Sequence, residues 1–290
     1  MSRFALMVSK MNLMNGLCRH DYMIDPKLQA QLRERFNPDG SKLREMQLAA
    51  LNILDAVDSV CRRNNIPYWL ASGTLIGAMR HGGFIPWDDD LDIEILYSDK
   101  KRFIEACLKE LPARYKLQCH ATDSGYYLNI MKVRDVETSI DESCNLGAKK
   151  YPVNYKYSGY FIDVFTVESS HRPFLSIANI MTKALLAFRY IVKAPNWMVN
   201  IFYELNEFVF SIFRLLNKLL PSGDYSYHTY GSLFKSRRVE SELIPTREYT
   251  FEGKQYFVPN NSDAYLRRIY GDYMQLPPMA QQKPHHNNDL

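Results

Sequence analysis

Four aspartates, Asp88, Asp89, Asp90 and Asp92, fall within five positions, and the last lies inside the strictly alternating run Leu91-Asp92-Ile93-Glu94-Ile95. Such alternation predicts a strand with two unlike sides. Side chains two apart in a strand point the same way. If the chain is extended from Pro86, Asp88, Asp90 and Asp92 therefore share one side, and Leu91, Ile93 and Ile95 enter a core. Carboxylates that close repel one another, and one of them would be protonated unless a cation offsets the charge. Hard oxygen ligands at this spacing suit Mg²⁺ or Mn²⁺, which take one or two carboxylates and complete their shell with substrate oxygens.

What precedes the acids sharpens this reading. Ile66-Pro67-Tyr68-Trp69-Leu70-Ala71 predicts a strand, and Gly73-Thr74 follows at its end. A glycine lets a phosphate approach the backbone, and a hydroxyl with free N–H groups can bind its oxygens. Leu75, Ile76, Ala78 and Met79 would form a short helix whose N-terminus faces that phosphate. An isolated Gly-Thr is most often a turn, and an acidic run is often a solvated loop; it is their order that points to a metal-plus-phosphate site. Asp163 adds to it, as an acid set between Phe161, Ile162, Val164 and Phe165. It reads as a third metal ligand or as the base that deprotonates an attacking hydroxyl, with a buried, partnered acid as the alternative. These residues imply attack at a phosphorus centre, by phosphoryl or by nucleotidyl transfer, without choosing between them.

The rest of the chain frames this site. Its 290 residues, 46% hydrophobic and 23% charged, allow one large domain or two modest ones with a sizeable core. The net charge of +4 is spread along the chain, so no nucleic-acid partner is expected. Five separated cysteines (Cys18, Cys61, Cys107, Cys119, Cys144) lack metal-ligand spacing and suggest reduced thiols in a cytoplasmic setting, with Cys61 and Cys107 packed in the core. No signal peptide and no membrane span is read.

Residues 1–40 read as an irregular N-terminal extension. Ser41 opens a helix whose Met46, Ala50, Ile53, Val57 and Val60 share a face, and Ser98 caps another. Residues 126–134 and 160–165 predict further strands, with a polar loop over 135–158. The expected organisation is a catalytic core at 41–173, a helical insertion at 174–222 and a C-terminal part at 223–290 packing on the core. In the insertion, Phe208, Val209, Ile212, Phe213, Leu216, Leu219 and Leu220 form an apolar stripe opposite Asn206, Ser211, Arg214, Asn217 and Lys218, with Pro221 ending the helix. The plain expectation is that this stripe packs on the sheet. The sharper one is peripheral contact with the inner membrane face or with a lipid-linked acceptor, although Lys183, Arg189 and Lys193 are interspersed without falling on one face. Nothing in the residues selects an oligomeric state.

The stretch "LREMQLAALNILDAVDSVCRRNNIPYWLASGTLIGAMRHGGFIPWDDDLDIEI" resembles the LicD family, which includes the fukutin-type transferases, and "GYFIDVFTVE" and "DAYLRRIYGDYMQLPP" are similar to further family blocks. The resemblance covers about residues 42–98, 126–167 and 247–278. It implies an α+β, nucleotidyltransferase-type fold: a small mixed sheet flanked by helices, with an added helical segment. It also implies Mg²⁺-dependent transfer of phosphocholine from CDP-choline to a hydroxyl of a cell-surface glycan or its lipid-linked precursor, such as lipopolysaccharide or teichoic acid, with CMP released. Residue by residue, Gly73 and Thr74 would contact phosphate, and Asp90, Asp92 and Asp163 would be the catalytic, metal-binding carboxylates with Asp88 close by. Arg80, His81 and Trp87 would shape the donor pocket. A choline group would sit over aromatic faces, for which Tyr126, Tyr127, Tyr155 and Tyr157 are candidates; Lys132 and Arg134 could reach donor phosphate but read more simply as exposed strand residues. The family's basic and histidine-rich end is reduced here to "MAQQKPHHNNDL", so no role is carried to Lys283, His285 or His286. Alternatives are the same chemistry with CDP-ribitol or CDP-glycerol, nucleotidyl transfer from an NTP, and an inactive glycan-docking subunit.

Overall fold

The computed structural model describes residues 23–146, 149–220 and 225–283. Expectations for Cys18, Pro221, His285 and His286 lie outside them. Part of the N-terminal extension is regular: α1 spans Pro26–Phe36, with Asp25 Oδ1 accepting from Lys27 N and Leu28 N. An Asp cap ahead of Pro signals this start, but only Leu32 of the helix is buried, so it shows little apolar periodicity. Helix α2, Lys42–Arg63, begins at the Ser41 cap as expected, and Met46, Ala50, Ile53, Val57 and Val60 are all buried.

The chain then runs through β1 (Tyr68–Leu70), α3 (Ser72–Ile76) with a π-turn over Gly77–His81, and β2 (Asp92–Leu96). Helix α4 (Lys100–Glu110) follows a 3₁₀ turn at Tyr97–Asp99, so the residue at its start is Asp99 and not Ser98. Next come β3 (Tyr115–Gln118), β4 (Met131–Asp135), the hairpin of β5 (Ser143–Leu146) and β6 (Lys149–Pro152), and β7 (Phe161–Ser169). The hairpin lies within the stretch read as a polar loop, where its alternation is weak because both faces are largely exposed.

The main sheet has the order β1-β2-β7-β4-β3; β2 and β7 run parallel and the other neighbours antiparallel. It is a mixed sheet flanked by helices, as expected. Its core joins Trp69, Leu70, Ile93, Ile95, Val133, Ile162 and Val164 to Ile53, Leu54 and Val57 of α2.

Helices α5 (Arg172–Tyr190) and α6 (Asn196–Leu219) pack together. Here the expected packing is reversed. On α6, Phe208, Ile212, Leu216 and Leu219 are exposed, Leu219 at 74%, whereas Asn206 and Asn217 are buried, Asn206 at 1%. Three groups of the polar side find partners inside: Arg214 donates to Glu168 at 2.8 Å, Glu207 accepts from Asn129 at 2.5 Å, and Asn217 donates to Tyr230 Oη at 2.6 Å, whereas Asn206 is buried with no hydrogen-bond partner among the described residues and Ser211 and Lys218 are exposed. Hydrogen-bonded polar groups tolerate burial. Tyr203 and Phe210 add apolar contacts on that inward side.

Strands β8 (Tyr225–His228) and β9 (Arg238–Val239) extend the sheet beside the far half of β7. Helix α7 (Glu240–Leu243), the hairpin β10 (Arg247–Phe251) and β11 (Lys254–Val258), and α8 (Ser262–Tyr270) complete the described chain.

Candidate active site

The end of β1 delivers Gly73 and Thr74 into the first turn of α3, so the expected short helix already includes them. Thr74 Oγ1 accepts from Asp92 N at 2.8 Å, and Ala71 N donates to Asp92 O at 3.0 Å, so α3 is tied to the start of β2. Gly73 lies against Asp88: a Cβ built on it would stand 2.6 Å from Asp88 Oδ2. The missing side chain makes room for a carboxylate.

The acids meet by a route that differs from strand alternation. Strand β2 begins only at Asp92, and residues 86–91 are not extended strand. The loop folds instead so that one oxygen of each of Asp88, Asp89 and Asp90 lies within 4.8 Å of the others. Gln47 of α2 holds it: Gln47 Nε2 donates to Asp88 O at 2.8 Å, and Gln47 Oε1 accepts from Asn37 Nδ2 at 2.8 Å. A second brace runs from Arg44 to Glu252 (2.6 Å) and from Glu252 to Phe84 N (3.0 Å).

Asp163 arrives from β7. Parallel register places it opposite Asp92, and antiparallel register with β4 places Lys132 on its other side. Lys132 Nζ donates to Asp163 Oδ1 at 2.7 Å and lies 3.3 Å from the centre of the Phe161 ring. Burial pushes the Asp92 carboxyl well above the usual range, and Asp163, Asp90 and Asp88 push it further, against a smaller opposing effect of Lys132. An all-oxygen set crowded enough to resist ionisation fits a hard divalent cation. Among the described residues, the group of three acids with oxygens close enough to share one ion is Asp88, Asp89 and Asp90; Asp92 and Asp163 adjoin it through register and charge and are not part of that group.

Beside Asp163 opens a cavity of about 220 Å³, lined by Lys132, Phe161, Tyr126 and Tyr155 with Asp141 and Glu142 at one side. A smaller hollow lined by Asp89 and Asp90 shares Phe161 and Ile140 with it, so the acids border the same surface. Tyr126 and Tyr155 meet edge to face at 5.2 Å. The buried Tyr126 hydroxyl has no hydrogen-bond partner among the described residues, and burial and the Asp163 carboxylate raise its proton affinity.

A model of the family described as LicD/FKTN/FKRP, nucleotidyltransferase domain, matches residues 65–185. The chain is 32% identical over 266 residues to the lipopolysaccharide cholinephosphotransferase LicD of Haemophilus influenzae, an alignment covering 84% of this chain and 96% of that protein. The chain belongs to the LicD family. This membership makes it a phosphotransferase. Shorter similarities reach the human ribitol 5-phosphate transferase FKRP, 40% over 57 residues (20% of this chain, 10% of that protein), and the mouse ribitol-5-phosphate transferase FKTN, 36% over 73 residues (24% and 14%).

Within this LicD-family chain the remaining motif residues are brought together, with their polar atoms turned into the protein. Arg80 donates to Tyr273 O at 2.5 Å and Gln275 O at 3.2 Å, which anchors the segment after α8. His81 Nδ1 lies 2.6 Å from Gln29 Oε1, and Trp87 packs on Phe36 and His81. Burial and the neighbouring Arg80 guanidinium lower His81 to about 3, so its ring is neutral at physiological pH. Of the four candidate tyrosines, Tyr126 and Tyr155 line the cavity. Tyr127 donates to Asn200 of α6, and Tyr157 packs under Lys156.

Sequence reasoning undervalued Lys132 and Arg134, expected to be exposed. Lys132 is paired with Asp163, and the fully buried Arg134 is ion-paired with Glu142 at 2.6 Å. Asp89 and Phe161 were not singled out as site residues. Their signal, one acid more in the run and an aromatic two before Asp163, takes on meaning only once the loop and register are known. Glu94 was also passed over. It accepts from Trp69 Nε1 at 2.8 Å, Arg238 Nε at 2.8 Å and Tyr265 Oη at 3.0 Å, with His228 Nε2 at 2.8 Å. Burial would raise its carboxyl, but the Arg238 guanidinium and His228 hold it well below the usual carboxylate range. It pins β1, β2, β8, β9 and α8 together beside the site.

Proposed function

We propose that the chain transfers phosphocholine from CDP-choline to a hydroxyl of a cell-surface glycan or its lipid-linked precursor, releasing CMP. The observation that carries this reading is the Asp92–Asp163 pair, with Asp88, Asp89 and Asp90 alongside, at the edge of an aromatic cavity. The full-length similarity to a cholinephosphotransferase supports the donor. Mg²⁺ or Mn²⁺ is assigned to Asp90, Asp92 and Asp163; when bound it offsets charge on the diphosphate and on the transferring group. The acceptor oxygen attacks the distal phosphorus, a new P–O bond forms, and the anhydride bond breaks with its bridging oxygen leaving on CMP. The hydroxyl proton passes to a carboxylate. Lys132 adds positive charge beside the phosphates, and the Tyr126 hydroxyl donates to a ligand oxygen.

The quaternary ammonium group is assigned to Tyr126 and Tyr155, with Asp141 nearby. Cations bind aromatic faces, and the Phe161 face already carries Lys132. Free thiols at Cys61, Cys107, Cys119 and Cys144 support a cytoplasmic setting. A second reading, transfer of ribitol phosphate from CDP-ribitol, is favoured by the shorter similarities to FKRP and FKTN.

The test is CMP release by purified protein with Mg²⁺, offered CDP-choline, CDP-ribitol and CDP-glycerol in parallel, with Asp90→Asn as control. Asp90-dependent release from CDP-choline alone supports the first reading, and release from CDP-ribitol alone replaces it with the second. Pyrophosphate release from an NTP would overturn both. Tyr155→Ala is expected to raise KM for CDP-choline more than it lowers kcat.

A further inference from the structure

The outward face of the α5–α6 pair is apolar. On α6, Trp197, Ile201, Leu205, Phe208, Ile212, Leu215 and Leu219 are exposed, and they recur at three and four residues along the helix. Ile177 and Ile180 of α5 and Ile191 and Val192 of the connection are exposed as well. A patch of this extent requires an occupant. We propose that this face lies in the interfacial plane of an anionic lipid bilayer, with α6 parallel to the surface.

Three observations favour lipid. First, the helix is oriented for it: Glu207, Arg214 and Asn217 are spent on hydrogen bonds to the rest of the protein, which fixes the polar side inward and leaves the apolar stripe facing out. Second, the charge is complementary. Within residues 172–220 the exposed charges are Arg172, Lys183, Lys193 and Lys218 against Glu204 alone. Basic residues flanking an apolar face attract anionic headgroups. A two-fold contact with a second copy would instead bring the same basic residues toward one another. Third, the exposed Trp197, at 65%, stands in the first turn of α6, and tryptophan prefers the membrane–water boundary. No helix of the described residues is long and apolar enough to cross a membrane, so the chain lies on the surface by this face. Leu186 of α5 lines the cavity beside Lys132 and Phe161, so docking this way holds the cavity next to the bilayer, where a lipid-linked acceptor would be met.

Docking does not rest on the catalytic reading, and its test uses no substrate. Of the three tryptophans, Trp69 and Trp87 are buried, so Trp197 reports on this face. The full-length protein is mixed with vesicles of phosphatidylcholine alone or with phosphatidylglycerol added, and tryptophan emission and flotation are followed. The expected result is a blue shift and co-flotation with the anionic vesicles only, weakened by high salt. Lys183→Glu with Lys193→Glu should weaken partition by about tenfold or more. Phe208→Ser with Leu219→Ser should reduce it similarly, with the melting temperature unchanged because both residues are exposed. Trp197→Phe should remove the emission change and keep flotation. Failure to float with anionic vesicles at low salt would overturn the proposal. So would a dimer that dissociates when Phe208→Glu is introduced.

Discussion

Asp92 of β2 and Asp163 of β7 stand opposite each other in parallel register, and Lys132 of β4 completes the row on the far side of Asp163. Two carboxylates and one ammonium leave the row net negative, and the adjoining acids make it more so. This arrangement costs stability, a cost that the cation of the proposed function would offset. We expect Asp92→Asn to lower turnover on the order of a hundredfold or more while raising the melting temperature in EDTA. The sign follows from the raised Asp92 carboxyl. A group whose folded value lies above its unfolded one contributes stability at low pH and loses it as pH rises through the folded value. The gain of the variant over the parent should therefore widen from acid to alkaline pH. Thermal melts of both proteins across that range check it; a variant that melts lower throughout would contradict the account.

Gly73 and Gly77 sit one helical turn apart and should fail differently. A Cβ at Gly73 meets a carboxylate oxygen of Asp88, whereas one at Gly77 meets the backbone carbonyl of Gly83. A side chain can turn aside; a backbone carbonyl cannot without moving the loop. Gly73→Ala should keep or slightly raise stability, since Ala is favoured over Gly in a helix by up to ~1 kcal/mol, and yet lose activity as Asp88 is displaced. Gly77→Ala should lower stability by about 1–3 kcal/mol. Urea titration alongside CMP release separates the two cases, and equal loss of stability in both would refute the distinction.

Much of this was legible in the sequence, and the part that was not shares one cause. The buried face of α2 and the strand character of Leu91–Ile95 follow from periodicity, whereas Asp88, Asp89 and Asp90 meet through a loop that alternation does not describe. Periodicity reports that a face exists without saying what it meets. The α6 stripe was visible, but its outward orientation depends on Glu168, Asn129 and Tyr230 satisfying the polar side, and those partners lie in distant segments. The Asp92–Asp163–Lys132 row depends on strand order and register, which local alternation leaves open. Glu94 read as one more polar position of β2; that Arg238, 144 residues away, is its partner could not be seen locally.

The Glu94–Arg238 pair yields a stability prediction. Both side chains are buried, and Trp69 and Tyr265 satisfy further oxygen lone pairs of Glu94. Removing one member of a buried ion pair leaves the other charge uncompensated and costs about 3–5 kcal/mol. Glu94→Gln should show a loss of that order in urea unfolding. Adding Arg238→Met to it should recover part of the loss, because the unpaired guanidinium is then gone. If the double variant is as unstable as the sum of the two single ones, the pair is not coupled as its geometry indicates.

His228 makes the same network sensitive to acid. Burial and the Arg238 guanidinium lower its ring to about 4 from an ordinary value of 6.5, against the opposing pull of Glu94. A depressed value means that the neutral ring is the form the fold accepts. Its contribution is complete above the unfolded value and is lost as pH falls toward the folded one. Between those limits a single such group changes stability by at most about 1.4 kcal/mol per pH unit. We expect the melting temperature of the parent to fall between pH 6.5 and 4 more steeply than that of His228→Gln, whose amide can still donate to Glu94 without taking up a proton. Comparing the two curves cancels the carboxylates common to both and the buried His81, which is also depressed and still present in the variant. Parallel curves would mean that His228 does not resist protonation in the folded protein, and that Glu94 rather than Arg238 dominates its surroundings.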